Sequence, residues 1–250
     1  MKKWYFTLLS FSMLFCFLLS FSLTAQNSVR GKVNNWTRGE STIAYFGMFN
    51  DEMTSLGSLT SAGEFEIPLD PDYLNSFKKI AEKEAAGAPP GWTRSYKTIA
   101  TTFFCSSDET VTTQNGDAII TGLPELILTY KSGQKEKAIL YAVSSPQVAG
   151  WLRSYGEESI SPGYYLSWIF SEAPGSARGE CVIPTYTGNG DEMYNDTTVM
   201  ELDLEQGWNL LKYEIAETFT SASGKTYASK TRVSRLEALP DDVQWVALDY

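Results

Sequence analysis

The sequence contains no histidine and only three cysteines among its 250 residues. Without an imidazole, the chain cannot build a Ser-His-Asp or Cys-His nucleophile or a zinc site with imidazole ligands. The chemistries left open are carboxylate catalysis, serine–lysine or threonine nucleophiles, metals with oxygen ligands such as calcium, or no chemistry at all. The absence of histidine is therefore one reason to expect a protein that does not catalyse a reaction.

Basic residues are also scarce. The chain has 20 lysines and arginines against 30 aspartates and glutamates, which gives a formal net charge of −10 at pH 7. We find no basic cluster that offsets this charge, and an acidic surface repels the phosphate backbone. We therefore expect no nucleic-acid partner and interpret the acidity as a device for solubility.

The first 26 residues have the layout of a secretory signal peptide. Lys2 and Lys3 give a positive start, an apolar stretch covers residues 4–23, and residues 24–26 are small or polar. We expect Ala25 to be the last residue removed. The alternative is a retained N-terminal anchor, because a bilayer span takes roughly 20 residues. Cleavage predicts an exported bacterial protein (periplasmic, cell-surface or secreted), with no stable membrane span.

Two cysteines, Cys105 and Cys181, remain after removal of the segment that contains Cys16. In an exported protein an even number of cysteines predicts a disulfide. Such a bridge would stabilise the fold by roughly 2–5 kcal/mol. The alternative is a pair of buried free thiols, because the sequence does not show that the two Cα atoms approach each other.

The rest of the chain consists of short β-rich runs separated by glycine, asparagine, aspartate and proline, which predicts an all-β fold. Residues 70–87 and 145–156 have helical periodicity instead, and Pro71 and Pro146 suit the first turns of these helices. A strand is expected from Ile99 to Phe104. We expect two antiparallel β-sandwich-like modules with two short helices. Residues 27–96 would form a small β module with a connector helix, and residues 97–250 a larger antiparallel sandwich.

The first module contains a recognisable pattern. The segments VRGKV (29–33), IAY (43–45) and TSAGEFEI (60–67) resemble the carboxypeptidase-regulatory or transthyretin-like β-sandwich family. That family typically shows a G-x-V opening and a later T-x-x-G-x-F-x-[IL] strand. The resemblance implies a non-catalytic accessory module on an exported protein and carries over no catalytic residues.

The clearest predicted hairpin spans residues 200–215, with residues 206–209 as its turn. The pairs expected on its buried face are Leu204–Leu211, Leu202–Tyr213 and Met200–Ile215. On the other face Asp203 would lie opposite Lys212. The stretch 203–209, followed by a final strand that contains Trp245, also resembles exported β-sandwich proteins of Gram-negative bacteria. That resemblance implies a location and a fold but no activity.

Three acidic residues, Glu201, Asp203 and Glu205, alternate along one strand of this hairpin and so project from one face. They resemble the E-x-D-x-E arrangement of jelly-roll β-glucanases, in which two carboxylates about 5–5.5 Å apart act as nucleophile and acid/base. The resemblance implies that Glu201 is the nucleophile and Glu205 the acid/base, with Asp203 tuning them. The alternative is an ordinary half-exposed strand whose leucines face the core.

Three tryptophans, Trp36, Trp92 and Trp208, occupy predicted loops. Exposed rings of this kind can form a platform on which sugars stack, whereas the alternative is core packing.

The segments GWTRSY (91–96) and GWLRSY (150–155) share five of six residues. We interpret this likeness as coincidence, because the second segment fits a helix and the first an extended chain.

Residues 188–196 are rich in oxygen-bearing side chains, which are the ligands that calcium prefers. Asp191, Glu192 and Asp196 are the candidate ligands, although the spacing does not match an EF-hand. A solvated turn explains the composition equally well. We therefore expect no cofactor.

These observations favour an exported, non-enzymatic binding or structural protein of the envelope or extracellular space, with an unknown protein or glycan as partner. One alternative is a glycan-binding β-sandwich that uses Trp36, Trp92 and Trp208. The other is a carboxylate-dependent glycosidase that uses Glu201, Asp203 and Glu205.

Overall fold

The structure is a computed structural model that describes residues 28–46, 53–86, 95–106, 110–130 and 137–249. The predicted signal peptide lies outside these residues. The described chain is built mostly from strands, which confirms the all-β class. In these ranges no helix is both long and apolar enough to cross a membrane.

The strands are β1 (Ser28–Lys32), β2 (Ser41–Phe46), β3 (Met53–Leu59), β4 (Glu64–Pro68), β5 (Thr112–Gln114), β6 (Ile120–Gly122), β7 (Ile127–Tyr130), β8 (Lys137–Val143), β9 (Gly163–Ser171), β10 (Gly175–Tyr186), β11 (Met193–Leu204), β12 (Gly207–Thr220), β13 (Thr226–Leu236) and β14 (Gln244–Asp249). The helices are α1 (Tyr73–Ala86), α2 (Ile99–Thr102) and α3 (Pro146–Arg153).

The strands pair in the order β1-β4-β3-β2-β7-β8-β9-β12-β13-β11-β10-β5, while β14 pairs with β8 and β6 pairs with β9. Pairing of β2 with β7 joins strands from the two predicted modules. The division of the chain into those modules stays a prediction. Among the described strands one pair, β11 with β13, is parallel. This pair arises because β12 reverses the chain and β13 reverses it again before lying beside β11.

The predicted hairpin between β11 and β12 is wrong. β11 pairs with β10 and β13, and β12 pairs with β9 and β13, so that β13 separates the two strands. Leu202, Leu204 and Leu211 are buried, as the alternation predicts. Alternation decides which face a side chain occupies, however, and does not decide which strand is the neighbour.

The predicted helices are present as α1 and α3, and the side chain of Ser145 caps α3 by accepting the N–H of Val148 at 3.4 Å. The strand predicted over residues 99–104 is wrong, because Ile99–Thr102 form the helix α2. Thr98 and Thr101 form a reciprocal capping box, in which each backbone N–H donates to the other side chain. Capping outweighs the β-propensity of this threonine-rich segment.

Trp245 of β14 lies at the centre of the first core cluster, which also contains buried residues of β1 to β4. Its ring is 4.7 Å from that of Phe65 and 5.9 Å from that of Trp168, measured between centroids. Gly31 passes close beside the indole, since a Cβ at residue 31 would lie 2.3 Å from its Nε1. This contact holds the first and last described strands together.

Cys105 and Cys181 form a disulfide, and their Cα atoms are 5.3 Å apart. The bond joins the residues that follow α2 to β10, and it confirms the predicted pairing.

Candidate functional site

A cleft of about 400 Å³ lies over one face of four adjacent strands, β9, β12, β13 and β11, beside the C-terminal end of α3. Six of its lining residues are aromatic, namely Trp151, Tyr155, Tyr165, Tyr194, Tyr213 and Tyr227. The remaining lining residues are Gly156, Asp196, Thr198, Ala228, Thr231 and Val233. We call this feature the aromatic cleft.

The register of the sheet explains why these residues meet. Tyr165 lies opposite Tyr213, and Tyr213 lies opposite Val233 on its other side. Thr231 of β13 pairs in turn with Thr198 of β11. Because alternate residues of a strand share a face, these pairs make a continuous floor across four strands.

The rings form two groups within the aromatic cleft. Tyr165 and Tyr213 stack with centroids 4.7 Å apart and planes within 3°, and the ring of Trp151 lies 6.4 Å from that of Tyr165. On the far side the rings of Tyr194 and Tyr227 are 5.2 Å apart. Burial raises the pKa of Tyr165 and of Tyr213 further above pH 7, where a tyrosine hydroxyl is already neutral.

Asp196 is the acidic residue of the aromatic cleft. It lies two residues after Tyr194 on the same face of β11 and is half-buried. Burial raises the pKa of its carboxyl group above the usual range. Within the part of the chain that the structure describes, this carboxylate makes no hydrogen bond and no ion pair. A charged group that is partly withdrawn from water without a partner is less favourable than an exposed one, and a bound ligand can supply that partner.

Tyr155 stands at the mouth of the aromatic cleft in a left-handed conformation, with φ 52°. The N–H of Tyr155 donates to the carbonyl of Leu152 at 3.1 Å, and the N–H of Gly156 donates to that of Trp151 at 2.9 Å. These two bonds form a Schellman motif at the end of α3, in which the left-handed position is usually glycine. The tyrosine side chain is 84% exposed, so no core contact compensates for the strain. Strain of this kind concentrates at functional sites.

Replacement of Tyr155 by glycine should leave the free energy of unfolding unchanged or raise it by up to about 1 kcal/mol, because glycine relieves the left-handed strain while its unfolded state gains entropy. Urea unfolding measures this effect. Tyr155→Ala is the matched control, since alanine keeps the strain and should give no gain. A clear loss of stability in Tyr155→Gly would contradict the description of an exposed, strained side chain.

Replacement of Asp196 by asparagine should raise the thermal midpoint at pH 7. The folded-state pKa of this group is raised, so its ionised form disfavours folding above that pKa, and the effect disappears below the unfolded pKa. The gain should therefore vanish near pH 3. Asp203→Asn is the control, because that exposed carboxylate is ion-paired with Arg178. An equal gain in both variants would show that net charge, and not the burial of Asp196, is responsible.

The predicted glycosidase residues lie on the opposite face of β11 from Asp196, where Glu201, Asp203 and Glu205 are exposed. Asp203 pairs with Arg178 and not with Lys212, because β10 and not β12 is the neighbour on that side. Lys212 instead contacts Glu214 at 3.1 Å. These carboxylates do not line the aromatic cleft.

Glu205 is held by an ion pair. Its carboxylate lies 2.9 Å from the guanidinium of Arg235. Its backbone N–H donates to the Asn209 side chain at 2.9 Å, which fixes the bend between β11 and β12. The Glu205 carboxylate thus has an ion-pair partner, whereas the Asp196 carboxylate has none among the described residues.

The structure places Trp36 and Trp208 against the first core cluster and outside the aromatic cleft. Trp36 donates to the carbonyl of Gly39 at 2.7 Å, and Trp208 donates to that of Asp70 at 2.9 Å. Both indoles therefore fix neighbouring chain segments. Trp92 lies outside the described residues.

The predicted calcium ligands do not come together. Glu192 accepts hydrogen bonds from the N–H of Ala222 and the hydroxyl of Thr187, each at 2.9 Å, and these bonds lower the pKa of its carboxyl group. Asp191 is exposed, and Asp196 lines the aromatic cleft. Over the described ranges, no group of three or more histidine, cysteine, aspartate or glutamate side chains is placed to hold a metal ion.

Sequence reasoning noticed Asp196 only as a calcium ligand and missed the tyrosines beside it. The sequence signal for the part of the aromatic cleft on β11 is the alternation of Tyr194, Asp196 and Thr198. This alternation places an aromatic ring, a carboxylate and a hydroxyl on one face of the strand. Trp151 and Tyr155, which belong to the GWLRSY segment, lie four residues apart at the end of α3.

Comparison of the chain with models of protein families, with curated proteins and with solved structures finds no match. The function therefore has to be argued from the geometry of the aromatic cleft.

Proposed function

We propose that this chain is an exported, non-enzymatic binding protein and that its ligand occupies the aromatic cleft. The observation that carries the proposal is the half-buried carboxylate of Asp196, which has no partner in the described chain and lies among aromatic side chains. A concave, largely apolar surface with a few polar groups is the usual composition of a ligand site. The volume of about 400 Å³ suits a small molecule or one unit of a larger one.

Two features support export. One is the predicted signal peptide at residues 1–26, and the other is the disulfide between Cys105 and Cys181. Disulfides form and persist in oxidising compartments such as the periplasm and the extracellular space. The two features agree with each other, although they come from different parts of the chain.

A neutral glycan is the second candidate for the ligand. Tyr165 and Tyr213 stack on each other and contribute apolar aromatic contact surface, and Asp196 can accept hydrogen bonds from sugar hydroxyls. A glycosidase has less support, because Asp203 and Glu205 are engaged by arginines on the opposite face of β11.

The test is a binding screen of residues 27–250 by titration calorimetry against soluble polysaccharides, monosaccharides and small amines, with reducing-end release followed in parallel. We expect binding without release, weakened about two- to tenfold in Tyr155→Ala, since an aromatic contact is worth about 0.5–1.5 kcal/mol. Tyr186→Ala is the matched control, because this tyrosine is also exposed (65%) but lies on β10 outside the aromatic cleft.

Three results would overturn the proposal. Reducing-end release that disappears in Glu201→Gln would establish a glycosidase. Binding that Tyr155→Ala and Asp196→Asn both leave intact would place the site elsewhere. A folded protein that binds none of these probes would make a structural role the better account.

A further inference from the structure

We propose that the aromatic cleft selects ligands that carry an organic ammonium group. This inference rests on the proposed function, because it names the ligand class of the same cleft.

The charge of the aromatic cleft favours a cationic ligand. Among its described lining residues, Asp196 is the single carboxylate, and none is a lysine or an arginine. The carboxylate is therefore uncompensated in surroundings where burial strengthens electrostatic interactions relative to water. A ligand cation would supply the missing partner, an anion would be repelled, and a neutral ligand would give only a hydrogen bond.

The aromatic faces of the cleft also favour a cationic ligand. A cation over a tyrosine ring is attracted to the negative face of the π-system. One ring of the aromatic cleft already takes a cation within the folded chain, because Lys225 Nζ lies 4.8 Å from the centroid of Tyr227. The same lysine is ion-paired with Glu157, at 3.2 Å, and not with Asp196. Its position leaves Asp196 for a ligand.

The neutral polar groups of the cleft can accept hydrogen bonds from an ammonium group. Thr198 and Thr231 lie opposite each other on β11 and β13 beside Asp196 and present hydroxyls that can accept hydrogen bonds. A primary ammonium can donate to these oxygens, whereas a quaternary ammonium has no N–H and would be held by the aromatic faces and by the charge of Asp196. Both kinds of ammonium carry the positive charge that Asp196 attracts, and the experiment distinguishes between the two kinds.

The experiment compares choline chloride with 3,3-dimethylbutan-1-ol, its neutral carbon isostere, and with n-propylammonium chloride. Each is titrated into residues 27–250 at constant ionic strength and followed by calorimetry. We expect choline or propylammonium to bind at least about tenfold more tightly than the neutral alcohol. Asp196→Asn should abolish this preference, and Asp203→Asn, which removes a carboxylate on the other face of β11, should retain it. The stronger of the two cations identifies the ammonium type.

Other outcomes overturn the inference in distinguishable ways. If choline and its isostere bind equally and Tyr155→Ala weakens both, the aromatic cleft binds neutral ligands, so the proposed function stands and the inference fails. A charge preference that survives in Asp196→Asn would assign cation binding to the acidic surface at large. If neither cation binds while a glycan does, the inference alone fails. If no probe binds the folded protein, both fail.

Discussion

Replacement of Trp245 by alanine is expected to lower the free energy of unfolding by about 3–5 kcal/mol. The indole is 5% exposed and contacts the rings of Phe65 and Trp168. Its loss would leave a cavity between the strands β1 to β4 and the rest of the sheet, and the closely packed surroundings can collapse only in part. Urea unfolding should show a lower midpoint with an unchanged slope.

A double-mutant cycle with Gly31 makes this prediction specific. Gly31→Ala places a methyl group where the indole lies, since the added Cβ would be 2.3 Å from Trp245 Nε1. In the wild-type background this overpacking should cost about 1–3 kcal/mol. With Trp245 already replaced by alanine, the same methyl group enters free space and should be tolerated. Additive losses in the two variants would mean that the two residues do not pack as described.

Replacement of both Cys105 and Cys181 by alanine is expected to lower the free energy of unfolding by about 2–5 kcal/mol. The two cysteines are 76 residues apart in sequence, so the bond removes much of the freedom of the unfolded chain. Thermal unfolding with and without a reducing agent measures the effect. Alanine is preferred over serine because Cys181 is buried and a hydroxyl there would need a partner.

The double-alanine variant is also the control for reduction. A reducing agent should lower the midpoint of the wild-type protein to that of the variant and should leave the variant unchanged. If reduction does not move the wild-type midpoint, the bond either is absent or contributes nothing to stability, and the expected loss would be contradicted.

The fold class could be predicted from the sequence because short alternating runs and turn residues are local signals. The disulfide followed from the predicted compartment and from the number of cysteines left. Strand pairing could not be predicted in the same way. Leu202 and Leu211 have the right faces in both the predicted hairpin and the structure, but their neighbours differ because β13 lies between β11 and β12.

The aromatic cleft could not be predicted from the sequence either, because it also depends on how the strands pair. Asp196 lies 17 residues before Tyr213 and 31 before Tyr227 in the numbering of the chain, and only the order of the strands brings the three to one surface. No spacing rule connects them, since they lie on three strands whose order in the sheet differs from their order in the chain. The acidic alternation around Asp203 was more conspicuous in the sequence, although the structure places it opposite the aromatic cleft.

The position of β13 between β11 and β12 has a consequence for the route by which the chain folds. Only residues 205 and 206 separate β11 from β12, so a hairpin of these two strands can close within microseconds, before β13 is in place. Such a hairpin would bury the same leucines as the native sheet and would compete with it. It would have to open before β13 could enter. Substitutions that weaken this early hairpin, while leaving the contacts between β12 and β13 intact, would therefore speed refolding without changing the final stability.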